Sequence, residues 1–166
     1  MNLEAIEGAR EQHPVDMIER VASHNSWSFE RTGDDELSVV VTGGWSDYHV
    51  SFSWMEDFEA LHLSCAFNID VPEHRALEVI RLMAHVNEQM LFGHFDLWSQ
   101  EGSIIFRQSL LLAGGAEPTS RQVEVLLSSA LDACECYVQA FRFVATSLMS
   151  AREALAGVLF ETVGSA

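Results

Sequence analysis

The sequence predicts an α+β fold in which an antiparallel sheet is flanked by helices, in the order α-β-β-β-β-α-β-β-α-α. Apolar and polar residues alternate strictly through residues 48–55 and again through 61–68, as in strands with one buried and one wet face. Apolar residues recur at helical spacing before, between and after the strands. With 166 residues, the chain is expected to form a single domain at 13–166, after a segment 1–12 that lacks a clean pattern and is expected to fray.

The first half of the chain predicts one helix followed by four strands. His13 and Pro14 open the helix, because proline is tolerated in a first helical turn. A short strand around Trp27–Phe29 and a valine-rich strand at Leu37–Thr42 precede the two alternating strands. The inner face of those two strands carries tryptophan and phenylalanine, which indicates that a helix covers it.

A helix and a hairpin follow the four strands. Val71 and Pro72 begin the helix, and a wide apolar stripe continues until Gly93 ends it. Its roughly 20 residues would measure about 30 Å, which is enough to span a sheet. Residues 94–99 and 103–111 then form two strands around a Gln-Glu-Gly turn.

Two capping boxes predict the last two helices. Thr119 with Gln122 begins a helix of about 28 residues, and Ser150 with Glu153 begins a short final helix. A helix of about 42 Å is longer than one sheet in a domain of this size requires. Part of its apolar stripe is therefore expected to face a second subunit.

The charge balance of the chain is strongly acidic. Twenty-five acidic residues stand against nine basic ones, all of them arginine, which gives a net charge of −16. Nine acids and no base lie between Arg31 and Arg75. This field would repel a nucleic acid or an anionic membrane, and it would tolerate a basic or partly unfolded protein partner. Solubility is the simpler interpretation and stays open.

Nothing in the sequence predicts export or membrane insertion. No apolar run approaches the roughly 20 residues of a membrane span, and the acidic N-terminus lacks the regions of a secretory signal.

The chain has three cysteines. Cys65 alternates with apolar residues and is predicted to be a buried strand thiol. Cys134 and Cys136 point in different directions on a helix, which disfavours a disulfide or a shared metal. An odd number of thiols without a predicted disulfide suits a reducing cytoplasm, where we expect the protein to reside.

The sequence contains no recognisable catalytic or metal-binding motif. It has no HxH, HExxH or CxxC pattern, no GxSxG elbow and no phosphate loop, so we predict no catalytic residue, no cofactor and no metal. His49 and His62 lie on the wet face, where the register places Ser53 rather than His49 opposite His62. The best polar pair is His94 with Asp96 on one strand face. Solvated strand residues explain this pair, and a ligand-binding or catalytic pair is the alternative.

Three aromatic residues are candidate anchors for a protein partner. They are Trp54, Phe58 and Trp98. Trp54 is the one that core packing explains most simply. If Phe95 and Leu97 face the core, alternation along the strand places Trp98 on the outside.

Several segments carry a resemblance to a known family. They are HPVDMIERVASHNSWSFER, WSDYHVSFSWMEDFEALHLSCAF, and NEQMLFGHFDLW followed by LLLAGGAEPT. With them the chain resembles the YbjN family over about residues 14–161. Members of this family are treated as sensory transduction regulators, have no agreed reaction or catalytic residues, and have a fold like that of type III secretion chaperones. The resemblance implies a small acidic protein that dimerises and binds other polypeptides. The additional C-terminal helix departs from a simple secretion chaperone.

We therefore expect a non-enzymatic cytoplasmic module with a chaperone-like or regulatory role. Its expected partner is a polypeptide or a second copy of the chain, and neither nucleic acid nor a membrane. The alternative is a small-ligand sensor or an enzyme with a site near His94 and Asp96.

Overall fold

The computed structural model describes residues 10–164, with side chains up to residue 159. Its strands are β1 (Phe29–Arg31), β2 (Glu36–Thr42), β3 (Asp47–Met55), β4 (Ala60–Asp70), β5 (His94–Trp98) and β6 (Ser103–Leu111). Its α-helices are α1 (Pro14–His24), α2 (Ala76–Asn87), α3 (Ser120–Thr146) and α4 (Ala151–Gly164). The element order is the predicted one, so the α+β prediction is confirmed.

The strands form one antiparallel sheet in the order β1-β2-β3-β4-β6-β5. Ser53 lies opposite His62, as predicted, while His49 lies opposite Ala66. β5 is short and pairs only with residues 103–107 of β6. In the described part of the chain, residues 108–111 of β6 therefore have no strand neighbour on that side.

One face of the sheet forms the core together with the helices. Its buried side chains include Leu37, Val39, Tyr48, Val50, Phe52, Leu61, Leu63, Cys65, Phe67 and Phe106. Aromatic contacts join this face to α3, because the ring of Phe95 lies 4.9 Å from that of Phe141 and 6.0 Å from that of Tyr137. Burial of these large apolar side chains is the main source of stability for the sheet-helix layer.

The other face of the sheet is partly exposed, because alternate side chains along each strand point away from the core. We call this surface the open face. Its members include Ser38, Val40, His49, Ser51, Ser53, Met55, His62, Ser64, Ala66, His94, Asp96, Trp98, Arg107, Ser109 and Leu111. Small and polar side chains fill its centre, and larger ones lie towards its ends.

Helix α2 is shorter than predicted. It has 12 residues and follows a short 3-10 helix at Glu73–Arg75, so the prediction of a helix of about 20 residues is wrong. The helix ends at Asn87 because the side chain of that residue bonds to the backbone of β5. Its Oδ1 accepts from the Phe95 N–H at 2.8 Å, and its Nδ2 donates to the Phe95 carbonyl at 3.1 Å.

Both predicted capping boxes are present. Gln122 N–H donates to Thr119 Oγ1 at 3.1 Å, and Thr119 N–H donates to Gln122 Oε1 at 2.8 Å, at the start of the 27-residue α3. The equivalent pair at α4 joins Ser150 and Glu153, with distances of 3.2 and 2.8 Å. Each box satisfies two N–H groups that a helix start would otherwise leave without partners.

Helix α4 packs against α3 and α2 of the same chain, with its Ala151 and Ala154 buried. Arg75 holds the junction, since its Nε donates to the Val144 carbonyl at 2.8 Å and its Nη2 to the Met149 carbonyl at 2.6 Å. The C-terminal part of α3 is thus covered within one chain, where its length had suggested a second subunit.

Part of the segment predicted to fray is bonded to the body of the protein. Residues 1–9 lie outside the described residues. Arg10 Nη2 donates to the Leu112 carbonyl at 2.7 Å, and its Nε donates to the Ala116 carbonyl at 3.0 Å. The N–H groups of residues 11 and 12 both donate to Glu117 Oε1, at 3.1 and 3.0 Å.

The thiols lie where the sequence places them on the elements. Cys65 is fully buried on β4, as predicted, and Cys134 is buried on α3. Cys136 is exposed. Among residues 10–164 no helix is long and apolar enough to cross a membrane.

Candidate partner-binding site on the open face

Trp54 belongs to the core and is only 7% exposed. The Arg10 guanidinium lies over its ring at 4.5 Å, and the His13 ring meets it edge-on at 6.3 Å. Its indole therefore offers a partner almost no surface unless the Arg10 segment moves away.

Phe58 lies in the turn between β3 and β4 and is 70% exposed. Two more exposed apolar side chains lie at this end of the open face, because Met55 and Leu111 flank Ala60 in register. We call Met55, Phe58 and Leu111 the turn patch. Exposed apolar side chains that cluster in this way are typical of interaction surfaces.

Glu59 fixes the turn that carries Phe58. It adopts a positive φ of 45°, and its carboxylate accepts from the N–H groups of Gly114 and Gly115 at 3.1 and 3.3 Å. Arg10 Nη2 adds an ion pair at 3.2 Å. These backbone donors, followed by Arg10, hold the pKa of Glu59 below its ordinary value.

Trp98 is 40% exposed at the opposite end of the open face. Trp98 pairs with Ser103, which in turn pairs with Asp70 at one end of β4, whereas the turn patch lies beside Ala60 at the other end of β4. Ala60 and Asp70 are ten residues apart on this strand, which corresponds to roughly 30 Å. The structure therefore does not bring Phe58 and Trp98 into one patch.

Asp96 is paired with arginine rather than with His94. Its Oδ2 accepts from Arg107 Nη1 at 3.3 Å, and its Oδ1 accepts from the Leu97 N–H at 3.0 Å. His94 makes no side-chain hydrogen bond to another described residue. The His-Asp dyad that a catalytic interpretation requires is thus not formed.

A cleft of about 400 Å³ opens beside β6 where β5 begins. Three residues that can carry positive charge line it, together with one hydroxyl and two apolar side chains. We call this site the cation cleft, and its lining includes His62, His94, Arg107, Ser109, Leu91 and Phe92. The register accounts for the grouping, since His94 lies opposite Arg107, and His62 lies opposite Ser109.

The cation cleft brings together groups that can carry positive charge on an acidic protein. His62 Nδ1 is 3.0 Å from Ser109 Oγ. Burial lowers the pKa of His62, and the charges of Arg107 and His94 lower it further. The charge that disfavours a proton on His62 would favour an anion in the cleft.

Glu135 fastens the sheet to α3 on the core side. Its carboxylate accepts from the Gly44 N–H and from the Tyr48 hydroxyl, the latter at 2.8 Å. Burial, followed by this hydrogen bond, raises the pKa of Tyr48 above its ordinary value. The contact fixes the β2–β3 turn and leaves the open face clear.

Sequence reasoning missed most of the cation cleft. It identified His94 and the outward position of His62, but not Arg107, Ser109 or the pair Leu91–Phe92. The predicted three-residue turn at 100–102 pairs Ser99 with Ser103 and so places His94 opposite Gln108, one residue away from its observed neighbour Arg107. No local pattern indicates that residues 91–93 pass beside His94 and Arg107.

The sheet, its helices on one face and its open face define an α+β protein with a type III secretion chaperone-like fold. The chain belongs to the YbjN family, whose sequence profile, described as "Putative bacterial sensory transduction regulator", matches residues 14–143.

Two solved structures share the fold. One is a chain in the crystal structure of the ExsC–ExsE complex, with a TM-score of 0.55 and 15% identity over 75% of this chain and 90% of that one. The other is YbjN from E. coli, described as "a putative transcription regulator", with a TM-score of 0.53 and 11% identity over 77% of this chain and 86% of that one. No curated protein matched the sequence.

Proposed function

We propose that this protein is a non-enzymatic regulatory module that binds polypeptide segments of other proteins in a chaperone-like manner. The observation that carries the proposal is the turn patch beside residues 108–111 of β6, which have no strand neighbour on the β5 side among the described residues. Leu111 belongs to both the turn patch and this edge of β6. A segment that adds as a strand along residues 108–111 would therefore also contact the apolar side chains of the turn patch. Strand addition to a free edge is a common mode of peptide recognition.

The comparisons and the charge of the chain support this proposal. The family is described in terms of sensory transduction, and one protein of the same fold was solved as the ExsC–ExsE complex. A net charge of −16 disfavours nucleic acid and anionic membranes as partners. Buried Cys65 and Cys134 suit a reducing cytoplasm, where we place the protein.

Affinity capture from the native cell tests the proposal. The tagged full chain should retain one or more stable polypeptides, and Phe58→Ala should reduce their recovery severalfold. Phe143→Ala is the matched control, because Phe143 is also an exposed phenylalanine but lies on α3. Failure of the wild-type chain to retain any polypeptide, or equal loss with both variants, would contradict the proposal.

We also propose a second copy of the chain as a partner of α2. Leu77 and Ile80 are 71% and 48% exposed and lie three residues apart on this helix, with exposed Ala84 continuing the same stripe. An apolar stripe of this kind can pack against its own copy across a two-fold axis. Light scattering should give a dimer mass at micromolar concentration, and a monomer would contradict this.

A further inference from the structure

Three groups that can carry positive charge meet at the cation cleft of a chain that has only nine basic residues besides histidine. His94 and Arg107 face each other on neighbouring strands, and His62 lies on the next strand, opposite Ser109. Asp96 is the acidic side chain that meets this group, through Arg107. Because Asp96 offsets the charge of Arg107, the cleft carries no net negative charge with its histidines neutral, in contrast to the −16 of the chain as a whole.

Much of the hydrogen-bonding capacity at this cleft is unused. The Arg107 guanidinium makes one hydrogen bond, to Asp96 at 3.3 Å, and its Nε is buried without a partner among the described residues. An arginine side chain carries five N–H donors. His62 uses only Nδ1, towards Ser109, and His94 bonds to no other described side chain. The cleft thus presents donors that suit an anionic acceptor with two oxygens.

The rim of the cleft is apolar. Leu91 and Phe92 are 86% and 63% exposed, although large apolar side chains usually lie inside. Gly93 holds them there, because its φ of +69° turns the chain sharply towards β6. The neighbouring edge of residues 108–111 carries no strand partner among the described elements. Apolar side chains and a free strand edge beside a cationic centre suit a peptide better than a small free anion.

We propose that the cation cleft binds a carboxylate of a polypeptide partner, an acidic residue with large apolar neighbours. Arg107 and His94 hold the carboxylate, and Leu91 with Phe92 contacts the adjacent apolar side chain. The rest of the partner segment is neutral or basic, because a net charge of −16 repels an acidic chain. This proposal rests on the proposed function and names the part of the partner that this site recognises.

Short peptides test the recognition directly. The probes are acetyl-Leu-Asp-Leu-amide and its Asn counterpart, titrated into the ¹⁵N-labelled full chain. The Asp peptide should shift the amide resonances of residues 91–94 and 107–109 saturably, and it should bind about tenfold or more tightly than the Asn peptide, as expected for a charge-assisted pair. Equal affinity of the two peptides, or shifts confined to other residues, would overturn the proposal.

Two further ligands distinguish an acidic side chain from a C-terminal carboxylate and from a free inorganic anion. The Asn peptide with a free C-terminal carboxylate tests whether a chain terminus is recognised. If this peptide binds more tightly than the Asp peptide, the cleft binds the C-terminal carboxylate of a polypeptide and not an acidic side chain. Inorganic phosphate tests a free anion. If phosphate binds the cleft more tightly than either carboxylate peptide, the polypeptide assignment is overturned.

Matched variants test whether the side chains of the cleft bind the Asp peptide. Arg107→Gln and His94→Ala should each weaken the Asp peptide about tenfold and leave the Asn peptide unchanged. Arg121→Gln, a change of an exposed arginine on α3, should alter neither. His94 is exposed, so its replacement keeps the test valid if Arg107→Gln fails to fold. Full affinity in a folded His94→Ala, Arg107→Gln double variant would contradict the proposal.

Affinity capture then separates this proposal from the proposed function. Loss of the captured polypeptide with Arg107→Gln but not with Arg121→Gln supports both. Undiminished capture with Arg107→Gln overturns the role of the cleft and leaves polypeptide binding intact. Absence of any captured polypeptide with the wild-type chain overturns the proposed function itself.

Discussion

Gly93 meets two constraints that only glycine satisfies together. Its φ is +69°, and a Cβ at this position would lie 2.3 Å from Phe106 Cζ and 2.9 Å from the Arg107 carbonyl oxygen. The backbone passes close over β6 here, which is what places Leu91 and Phe92 beside the cation cleft. The sequence indicated a chain break at this glycine but not the close approach that requires it.

Gly93→Ala should destabilise the fold by about 2–4 kcal/mol, since left-handed strain and a steric clash add together. Denaturant unfolding monitored by circular dichroism measures the change. Gly114→Ala should cost only about 1 kcal/mol, because Gly114 has a φ of +81° but open space around it. A Gly93→Ala variant no less stable than Gly114→Ala would contradict the close approach.

The Glu59 carboxylate should make the stability of the β3–β4 turn dependent on pH. Its folded pKa is lowered, so its contribution is present above the unfolded pKa and is lost as the pH falls through the folded one. Glu59→Gln should therefore lower the melting temperature at pH 7, and its difference from wild type should shrink towards pH 3. Thermal melts across this range measure it.

Glu56→Gln is the control for this titration, because Glu56 is an exposed carboxylate of the same turn. It should leave the pH profile unchanged. A wild-type to Glu59→Gln difference that stays constant from pH 7 to pH 3 would show that the ionised carboxylate does not hold the turn.

At the scale of elements, local signals were sufficient for the starts of α3 and α4. Thr119 with Gln122 and Ser150 with Glu153 act within one turn of chain, and both boxes are formed as predicted. The end of α2 depends instead on Asn87, whose side chain bonds to β5. That contact is tertiary, so periodicity alone extended the helix too far.

Arg75 should control how firmly α4 is held. Its guanidinium bonds to carbonyl groups at the end of α3 and before α4, so Arg75→Gln should loosen the link and let α4 open locally. Loss of charge-assisted bonds should raise amide hydrogen exchange in residues 150–159 about tenfold or more, with little change in β3 and β4.

Arg152→Gln is the control for α4, since Arg152 is an exposed arginine on the same helix. Its exchange should match that of the wild type. Equal exchange in Arg75→Gln and Arg152→Gln would show that Arg75 does not hold the helix.

At the scale of the whole molecule, the sheet has most of its large apolar side chains buried on one face and a mixed surface on the other. Alternation in β3 and β4 predicted this asymmetry, since period two fixes which side chains share a face. It could not predict the cation cleft, which needs three strands and residues 91–93 in one place. It also could not predict that the turn patch and Trp98 lie at opposite ends of the sheet.

Binding of a polypeptide at the open face should leave a footprint in amide hydrogen exchange. The comparison is between the wild-type chain alone and the same chain in complex with its captured partner. Protection should appear in residues 55–60, 91–94 and 107–111, while the exposed residues of α2 and α3 exchange as before. Protection confined to the helices, with no change along β6 and the β3–β4 turn, would contradict the account.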